Sequence, residues 1–194
     1  MAIIDMERRE ETPVLVEVRE GLSGAIRRVL AVLRMGMGFI FMWAFLDKLF
    51  ALGFSSGRLE GGGIDFFADG AAALNGGSPT FGFLSFGSRG PLASFWQGLA
   101  GDTWVNWLFM GALLGLGLAL LLGIGLRAVA VGGSILMLSM WSVAMLPGSN
   151  PFMDSHIIYA LVLVVLALTA AGDTWGLGAR WSRTSLVQRL PWLK

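Results

Sequence analysis

The side chains of this sequence that could move protons stand at the ends of long apolar segments. Asp47 and Lys48 are adjacent, near the far end of the first such segment. The single histidine, His156, follows Asp154 by two residues, and Asp102 precedes another apolar segment. A nearby carboxylate can fix the tautomer of an imidazole or accept its proton, and an ammonium can stabilise a developing anion. These five residues form the candidate polar site.

The apolar segments that carry these residues are long enough to cross a bilayer. Hydrophobic residues make up 55% of the chain and charged residues 14%, and the mean hydropathy is +0.71, values typical of a membrane protein. Because a crossing helix needs about 20 residues, the charge-free intervals predict an all-α bundle of four transmembrane helices within residues 29–172. The helices are expected at 29–54, 103–124, 127–147 and 154–172, the first as an uncleaved anchor, with an arm over 1–28 and a tail over 173–194.

The basic residues predict the orientation of the chain. Five arginines precede the first helix, Arg127 follows the second, and four basic residues follow the fourth. The opposite side carries Arg58 and Arg89, with Lys48 at its edge. The positive-inside rule then places both termini in the cytoplasm of a multi-pass cell-membrane protein. The lipid bilayer is the expected partner, and nucleic acid is not, because the basic residues form no dense cluster.

The composition excludes several kinds of redox centre. The chain has no cysteine and one histidine, so thiol chemistry, iron–sulfur ligation and bis-histidine haem within one chain are excluded. The usual zinc ligand set is missing too. We expect no metal site, and we interpret the methionines as packing residues because no Cys or His accompanies them.

Two interpretations fit Asp47 and Lys48. Asp47 lies thirteen residues after Arg34, or about 20 Å along a helix, in a hydrocarbon core about 30 Å thick. If Arg34 marks the inner interface, both side chains fall short of the outer one. They would then pair with other helices, Lys48 with Asp154 or Asp102 and Asp47 with His156. Alternatively, Lys48 extends to the outer headgroups and Asp154 only caps the fourth helix.

Small residues recur at every fourth position of the second predicted helix. Such a stripe lets a neighbouring helix approach closely. The sequence therefore predicts a helix-packing face at Gly111, Gly115, Ala119 and Gly123.

The loop over 55–102 is long for a compact bundle. Gly-rich turns around residues 64–74, and the spacing of apolar residues after Pro91, predict two short helices over the outer mouth. The loop is either a lid for a lipophilic ligand or part of an interfacial aromatic belt with Trp96, Trp104 and Trp107. The basic, aromatic tail over 173–194 is typical of an interfacial helix.

Three stretches resemble the DoxX family, over about residues 29–194. They are R-M-G-M-G-F-I-F-M-W-A-F-L-D-K-L-F, W-L-F-M-G-A-L-L-G-L-G-L-A-L-L-L-G-I-G-L-R, and N-P-F-M-D-S-H-I-I-Y-A-L followed by A-G-D-T-W-G-L-G. The long first loop and Trp-bearing tail are similar to the actinobacterial branch. The resemblance implies a four-helix membrane bundle, and members of the family have been named as the large subunit of a thiosulfate:quinone oxidoreductase.

Two functions follow as hypotheses. In the first, the chain is a quinone-linked redox subunit, in which His156 binds a quinone carbonyl and Lys48 stabilises anionic charge, with partner proteins delivering electrons. In the second, it is a non-catalytic accessory subunit that docks other membrane or cytoplasmic proteins through its loop and tails. A transporter would be expected to show inverted repeats and broken helices, and neither is evident.

Overall fold

The computed structural model describes residues 21–148, 150 and 152–194. The described chain is mostly helical, and within it β-structure is limited to two isolated bridges. The predicted arm over 1–28 falls largely outside the described residues, as do Arg8, Arg9 and Arg19. In chain order the α-helices are α1 Gly24–Phe50, α2 Phe81–Phe86, α3 Ala93–Gly98, α4 Thr103–Leu122, α5 Leu126–Val143, α6 Ser155–Leu168, α7 Gly178–Trp181 and α8 Ser185–Arg189.

Three of these helices, α1, α4 and α5, are long and apolar enough to cross a membrane. The helix α6 is equally apolar but has 14 residues. Large apolar side chains lie exposed along these helices, as Phe39 of α1 and Ile135 of α5 do. In water such surfaces would be costly, whereas lipid solvates them. The architecture is that of an all-α membrane protein.

The four longest helices alternate in direction. Gly38 of α1 lies against Leu121 of α4, and Met42 lies against Gly117. Residue numbers therefore rise along α1 as they fall along α4, which makes the two helices antiparallel. Gly133 of α5 meets Leu163 of α6 in the same antiparallel sense. A three-residue turn over 123–125 reverses the chain between α4 and α5.

This alternation sorts the chain between two ends of the bundle. The C-termini of α1 and α5 and the N-termini of α4 and α6 share one end, which we call the lid end because the loop over 51–102 lies there. The other end, where residues 169–194 follow α6, is called the tail end. All five residues of the predicted polar site belong to the lid end.

The core is formed by one cluster of buried apolar side chains. Leu120, Leu163 and Leu166 are among its most fully buried members, and Met37 and Met137 fill space between them. The interpretation of these two methionines as packing residues is confirmed.

The predicted glycine face of α4 is wrong in part. A Cβ at Gly111 or Gly115 would meet no atom within 4 Å, and both residues are exposed. Close helix contact occurs instead at Gly117, where a Cβ would lie 2.9 Å from the Met42 nitrogen. Gly115 and Gly117 differ by about 200° around the helix, so they face opposite sides. Ala119 packs against the core, and Gly123 ends α4 with φ +72.

The end of α4 is closed by a fully buried cation. The Arg34 guanidinium donates from Nη1 to the carbonyls of Leu120 and Leu121, the latter at 2.9 Å, and from Nη2 to the carbonyls of Trp175 at 3.0 Å and Thr174 at 3.4 Å. Helix C-termini carry unpaired carbonyls and partial negative charge. Arg34 therefore joins α1, α4 and the start of the tail, rather than marking a membrane interface by itself.

The loop and the tail differ from their predicted forms. The predicted helix over 64–74 is wrong except for a 3-10 turn at Ala73–Asn75, because Phe67 at φ 60 and Gly70 at φ 72 interrupt it. The helix after Pro91 is confirmed as α3, while α2 was not predicted. The tail forms α7, α8 and a final turn. It is attached to the C-terminus of α4 by a 2.8 Å hydrogen bond from the Leu177 N–H to the Leu122 carbonyl.

Candidate functional site

Asp47 organises the exit from α1. The helix ends at Phe50, Ala51 takes a left-handed conformation at φ 55, and the chain folds back. The buried Asp47 carboxylate accepts the backbone N–H of Phe54 at 3.0 Å and of Ser55 at 2.7 Å, together with the Ser55 hydroxyl. Three donors satisfy a buried carboxylate well. Asp47 thus fixes the first residues of the loop against α1.

Lys48 shares a partner with Asp47. Its Nζ donates to Ser55 Oγ at 3.0 Å and lies 5.9 Å from the centre of the Phe109 ring on α4. One hydroxyl therefore bridges the ammonium and the carboxylate, although the two side chains diverge around the helix. Ser55 was missed from sequence, because it is a loop residue seven positions after Lys48.

Asp154 and His156 form a carboxylate–imidazole pair at the start of α6. One carboxylate oxygen accepts the backbone N–H of His156 at 2.9 Å and of Ile157 at 3.3 Å, which caps the helix as predicted. The other oxygen lies 2.6 Å from His156 Nδ1. Nε2 has no hydrogen-bond partner within the described part of the chain. It is therefore the ring atom left for an external molecule.

The environment of Asp154 favours its charged form. Burial alone would raise the pKa of this carboxyl, but the hydrogen bonds from the His156 side chain and the Ile157 backbone outweigh burial and lower the pKa below its ordinary value. A charged carboxylate on Nδ1 fixes the orientation of the ring, with Nε2 facing away from Asp154.

The predicted pairings between helices are not observed among the described residues. Lys48 contacts Ser55 rather than Asp154 or Asp102, and His156 contacts Asp154 rather than Asp47. Asp102 precedes α4 and accepts the Trp104 indole N–H at 3.2 Å. The lid end thus holds two separate groups, Asp47–Lys48–Ser55 and Asp154–His156. The physical reason is local: each charged side chain finds a partner within eight residues.

The loop is tied to the same end of the bundle by a second residue that sequence reasoning missed. The side-chain oxygen of Asn106, on α4, accepts the hydroxyls of Ser78 at 3.0 Å and Thr80 at 2.7 Å. Arg89 N also donates to Val143 O at the end of α5, 2.8 Å. A lone amide in an apolar helix was the signal for Asn106. The loop is therefore anchored to α1, α4 and α5.

Metal-ligand geometry adds little at the lid end. Among the described residues no three His, Cys, Asp or Glu side chains come together to hold a metal ion. Two cavities, of about 50 and 540 Å³, lie at the tail end. The case for a site at the lid end depends on the Asp154–His156 chemistry.

Comparisons of this chain with protein-family models, with curated proteins and with solved structures give no match. The resemblance to the DoxX family stays a prediction from the motifs quoted above.

Proposed function

We propose that this chain is a multi-pass protein of the cell membrane, with four crossing helices and both termini in the cytoplasm. The support is the division of basic residues between the two ends of the bundle. Arg27, Arg127 and Arg180 belong to the tail end with Arg28, Arg183, Arg189 and Lys194, whereas Arg58 and Arg89 belong to the loop of the lid end. By the positive-inside rule the tail end faces the cytoplasm. The lid end then faces outward.

At the lid end, the proposed function is to bind a quinone or quinol, as a redox subunit of the DoxX type that acts with partner proteins. The observation that carries this proposal is the Asp154–His156 pair, with 2.6 Å between Asp154 Oδ2 and Nδ1 and with Nε2 unoccupied by any described residue. The pair stands at the end of an apolar helix, where a lipophilic ring can arrive from the bilayer.

The pair suits both forms of such a ring. With its Nδ1–H donated to Asp154, a neutral His156 presents Nε2 as an acceptor, which fits a quinol hydroxyl. A protonated His156 presents Nε2–H as a donor, which fits a quinone carbonyl, and the Asp154 carboxylate balances its charge. The bound ring would supply the electron chemistry, while His156 binds it and moves a proton at Nε2. Lys48 is the second candidate, as a cation for reduced-ring charge.

Electrons must reach this site from elsewhere. The chain has no cysteine and one histidine, so it lacks the ligands for an iron–sulfur cluster or a bis-histidine haem. A partner subunit is therefore part of the proposal. The loop anchored to α1, α4 and α5 and the tail are the surfaces proposed to receive it.

The test is a binding measurement on purified protein in nanodiscs. Addition of a short-chain quinone should quench tryptophan fluorescence with saturation, and His156→Gln should weaken the affinity by about tenfold, as expected for the loss of one charge-assisted hydrogen bond. Ser155→Ala is the matched control, because this neighbouring side chain is exposed and should leave affinity unchanged. Equal affinities of the parent and His156→Gln proteins, or no saturable binding, would reject the proposal.

A second candidate, the non-catalytic accessory subunit, is favoured by one observation. Gly111 and Gly115 lie exposed on one face of α4, and no helix of the described chain covers them. In membranes, faces of this kind allow close helix approach. If a partner packs there, Gly115→Leu should abolish copurification of that partner while leaving the melting temperature of the isolated chain unchanged. Retained copurification would remove this support.

A further inference from the structure

The larger cavity is a groove at the tail end, between α5 and the end of the tail. It measures about 540 Å³ and is lined by Arg127, Ala128, Val131, Gly132, Pro191 and Trp192. This volume is within the range of small-molecule sites in proteins. All but one of the lining residues are apolar, and the exception, Arg127, lies in the first turn of α5.

The groove opens on the lipid-facing surface of α5. Val131 is 64% exposed and Trp192 60% exposed, although both are large apolar side chains. Gly132 is exposed too, and a Cβ there would meet no atom within 4 Å. Since α5 is long and apolar enough to cross the membrane, these residues face hydrocarbon near one membrane surface. Tryptophan is enriched at that depth.

Arg127 is fixed by two hydrogen bonds and has further donors that are not used by them. Its Nη1 donates to Pro191 O at 3.2 Å, which ties the side chain to the tail, and its backbone N–H donates to Lys194 O at 2.8 Å. Its Nε and Nη2 groups have no partner within the described chain. Arginine binds phosphate through two parallel hydrogen bonds. The N-terminus of α5 adds partial positive charge at the same point.

We propose that this groove binds one anionic phospholipid, with its phosphate on Arg127 and an acyl chain along Val131 and Gly132 beside Trp192. A cation at the membrane surface followed by an apolar channel along the helix matches the two chemical parts of such a lipid. The groove is thus a lipid site at the end opposite to the quinone site, and it does not depend on the proposed redox function.

The experiment compares lipids with identical acyl chains on the full-length protein in detergent. Native mass spectrometry with equimolar phosphatidylglycerol and phosphatidylcholine should show about a fivefold preference for phosphatidylglycerol. Arg127→Gln should bring the ratio close to one. Arg183→Gln is the matched control, because this exposed arginine of the tail does not line the groove, and it should keep the parent's preference.

A second variant tests the acyl part. Gly132→Leu places a side chain in the groove without removing charge, and the open space at this position should let the protein fold. It should lower the occupancy of both lipids. A third arm adds inorganic phosphate, which should not displace phosphatidylglycerol. The proposal is wrong if both lipids bind the parent equally, if Arg127→Gln retains the preference, if Gly132→Leu leaves lipid occupancy unchanged, or if phosphate alone competes.

Discussion

The guanidinium of Arg34 and the carbonyl oxygen of Leu121 are joined by a 2.9 Å hydrogen bond that links the first half of α1 to the C-terminal end of α4. Because Arg34 also binds the carbonyls of Trp175 and Thr174, its removal leaves acceptors of α4 and the tail unpaired. We expect Arg34→Met to lower stability by about 1–3 kcal/mol for each acceptor left buried. Thermal melting in detergent, followed by tryptophan fluorescence, measures the loss.

Arg28→Met is the matched control for this substitution, since Arg28 is exposed on the same helix. It should melt close to the parent. The melting temperature of Arg34→Lys should lie between those of the parent and Arg34→Met, because an ammonium cannot reproduce the planar set of donors of a guanidinium. Equal melting temperatures for Arg28→Met and Arg34→Met would mean that the buried hydrogen bonds contribute nothing measurable.

Gly117 and Gly115 provide a paired test of helix packing. A Cβ at Gly117 would lie 2.9 Å from the backbone nitrogen of Met42, whereas one at Gly115 would meet nothing within 4 Å. Gly117→Ala should therefore force α1 and α4 apart and cost about 1–3 kcal/mol. Gly115→Ala should be neutral or stabilising by about 0.5–1 kcal/mol, as alanine favours helix. If Gly115→Ala melted at a lower temperature than Gly117→Ala, α4 would have to be rotated about its axis relative to this structure.

Lys48 should be coupled to Ser55 and not to Asp154. The ammonium and the Ser55 hydroxyl share a 3.0 Å hydrogen bond, whereas Lys48 and Asp154 have no hydrogen-bond partner in common among the described residues. In a double-mutant cycle, Lys48→Met with Ser55→Ala should show a coupling energy of about 0.5 kcal/mol or more. Lys48→Met with Asp154→Asn should be additive within about 0.5 kcal/mol. A strong rescue of Lys48→Met by Asp154→Asn would restore the pairing first expected from sequence.

The lowered pKa of Asp154 predicts a pH dependence of stability. Burial raises the pKa, but the hydrogen bonds from His156 and Ile157 outweigh it, so the folded carboxyl ionises below its ordinary value. Its stabilisation is complete above the unfolded pKa of about 3.9 and is lost as the pH falls through the lower folded value. Asp154→Asn should have a lower melting temperature than the parent at neutral pH. This gap, the difference between the two melting temperatures, should close in acid.

Asparagine also caps helices, so the gap for Asp154→Asn reports charge rather than the cap. Asp102→Asn is its control, because Asp102 makes no side-chain capping bond to α4, and it should show a smaller gap. A pH-independent gap for Asp154→Asn would contradict the assignment of charge to this carboxyl.

The orientation can be read from introduced cysteines, since the native chain has none. Glu60 in the loop and Gln188 in the tail are both exposed. With the lid end outside, Glu60→Cys should react with an impermeant maleimide on intact cells, and Gln188→Cys should react only after permeabilisation. The opposite labelling pattern would invert the topology and place the Asp154–His156 pair in the cytoplasm.

The long helices were predictable because hydrocarbon imposes a simple requirement on length and charge. Intervals without charge located α4 and α5 to within four residues at each end, and Asp154 signalled the start of α6. The face by which each helix packs was harder to predict. All sides of α4 are apolar, so hydrophobic patterning does not distinguish the side facing protein from the side facing lipid, and the face of Gly117 was missed.

The polar partners were hidden for a different reason. Asp47 and Lys48 point apart on an ideal helix, which suggested partners on other helices. The chain instead leaves the helix at Ala51 and returns Ser55 to both side chains. A left-handed alanine cannot be foreseen from propensity. The same holds for Phe67, whose positive φ breaks the expected helix over 64–74.

The hydrogen bonds of Arg34 also constrain biosynthesis. Its first acceptor, the Leu120 carbonyl, is 86 residues further along the chain, and that of Trp175 is 141 residues further. At a synthesis rate of 5–20 residues per second, about 4–17 s pass before α4 follows α1 from the ribosome. During that interval the guanidinium of a nascent α1 lacks the carbonyl acceptors that surround it in the folded chain. The buried setting of Arg34 is therefore completed only after α4 and the start of the tail have been synthesised.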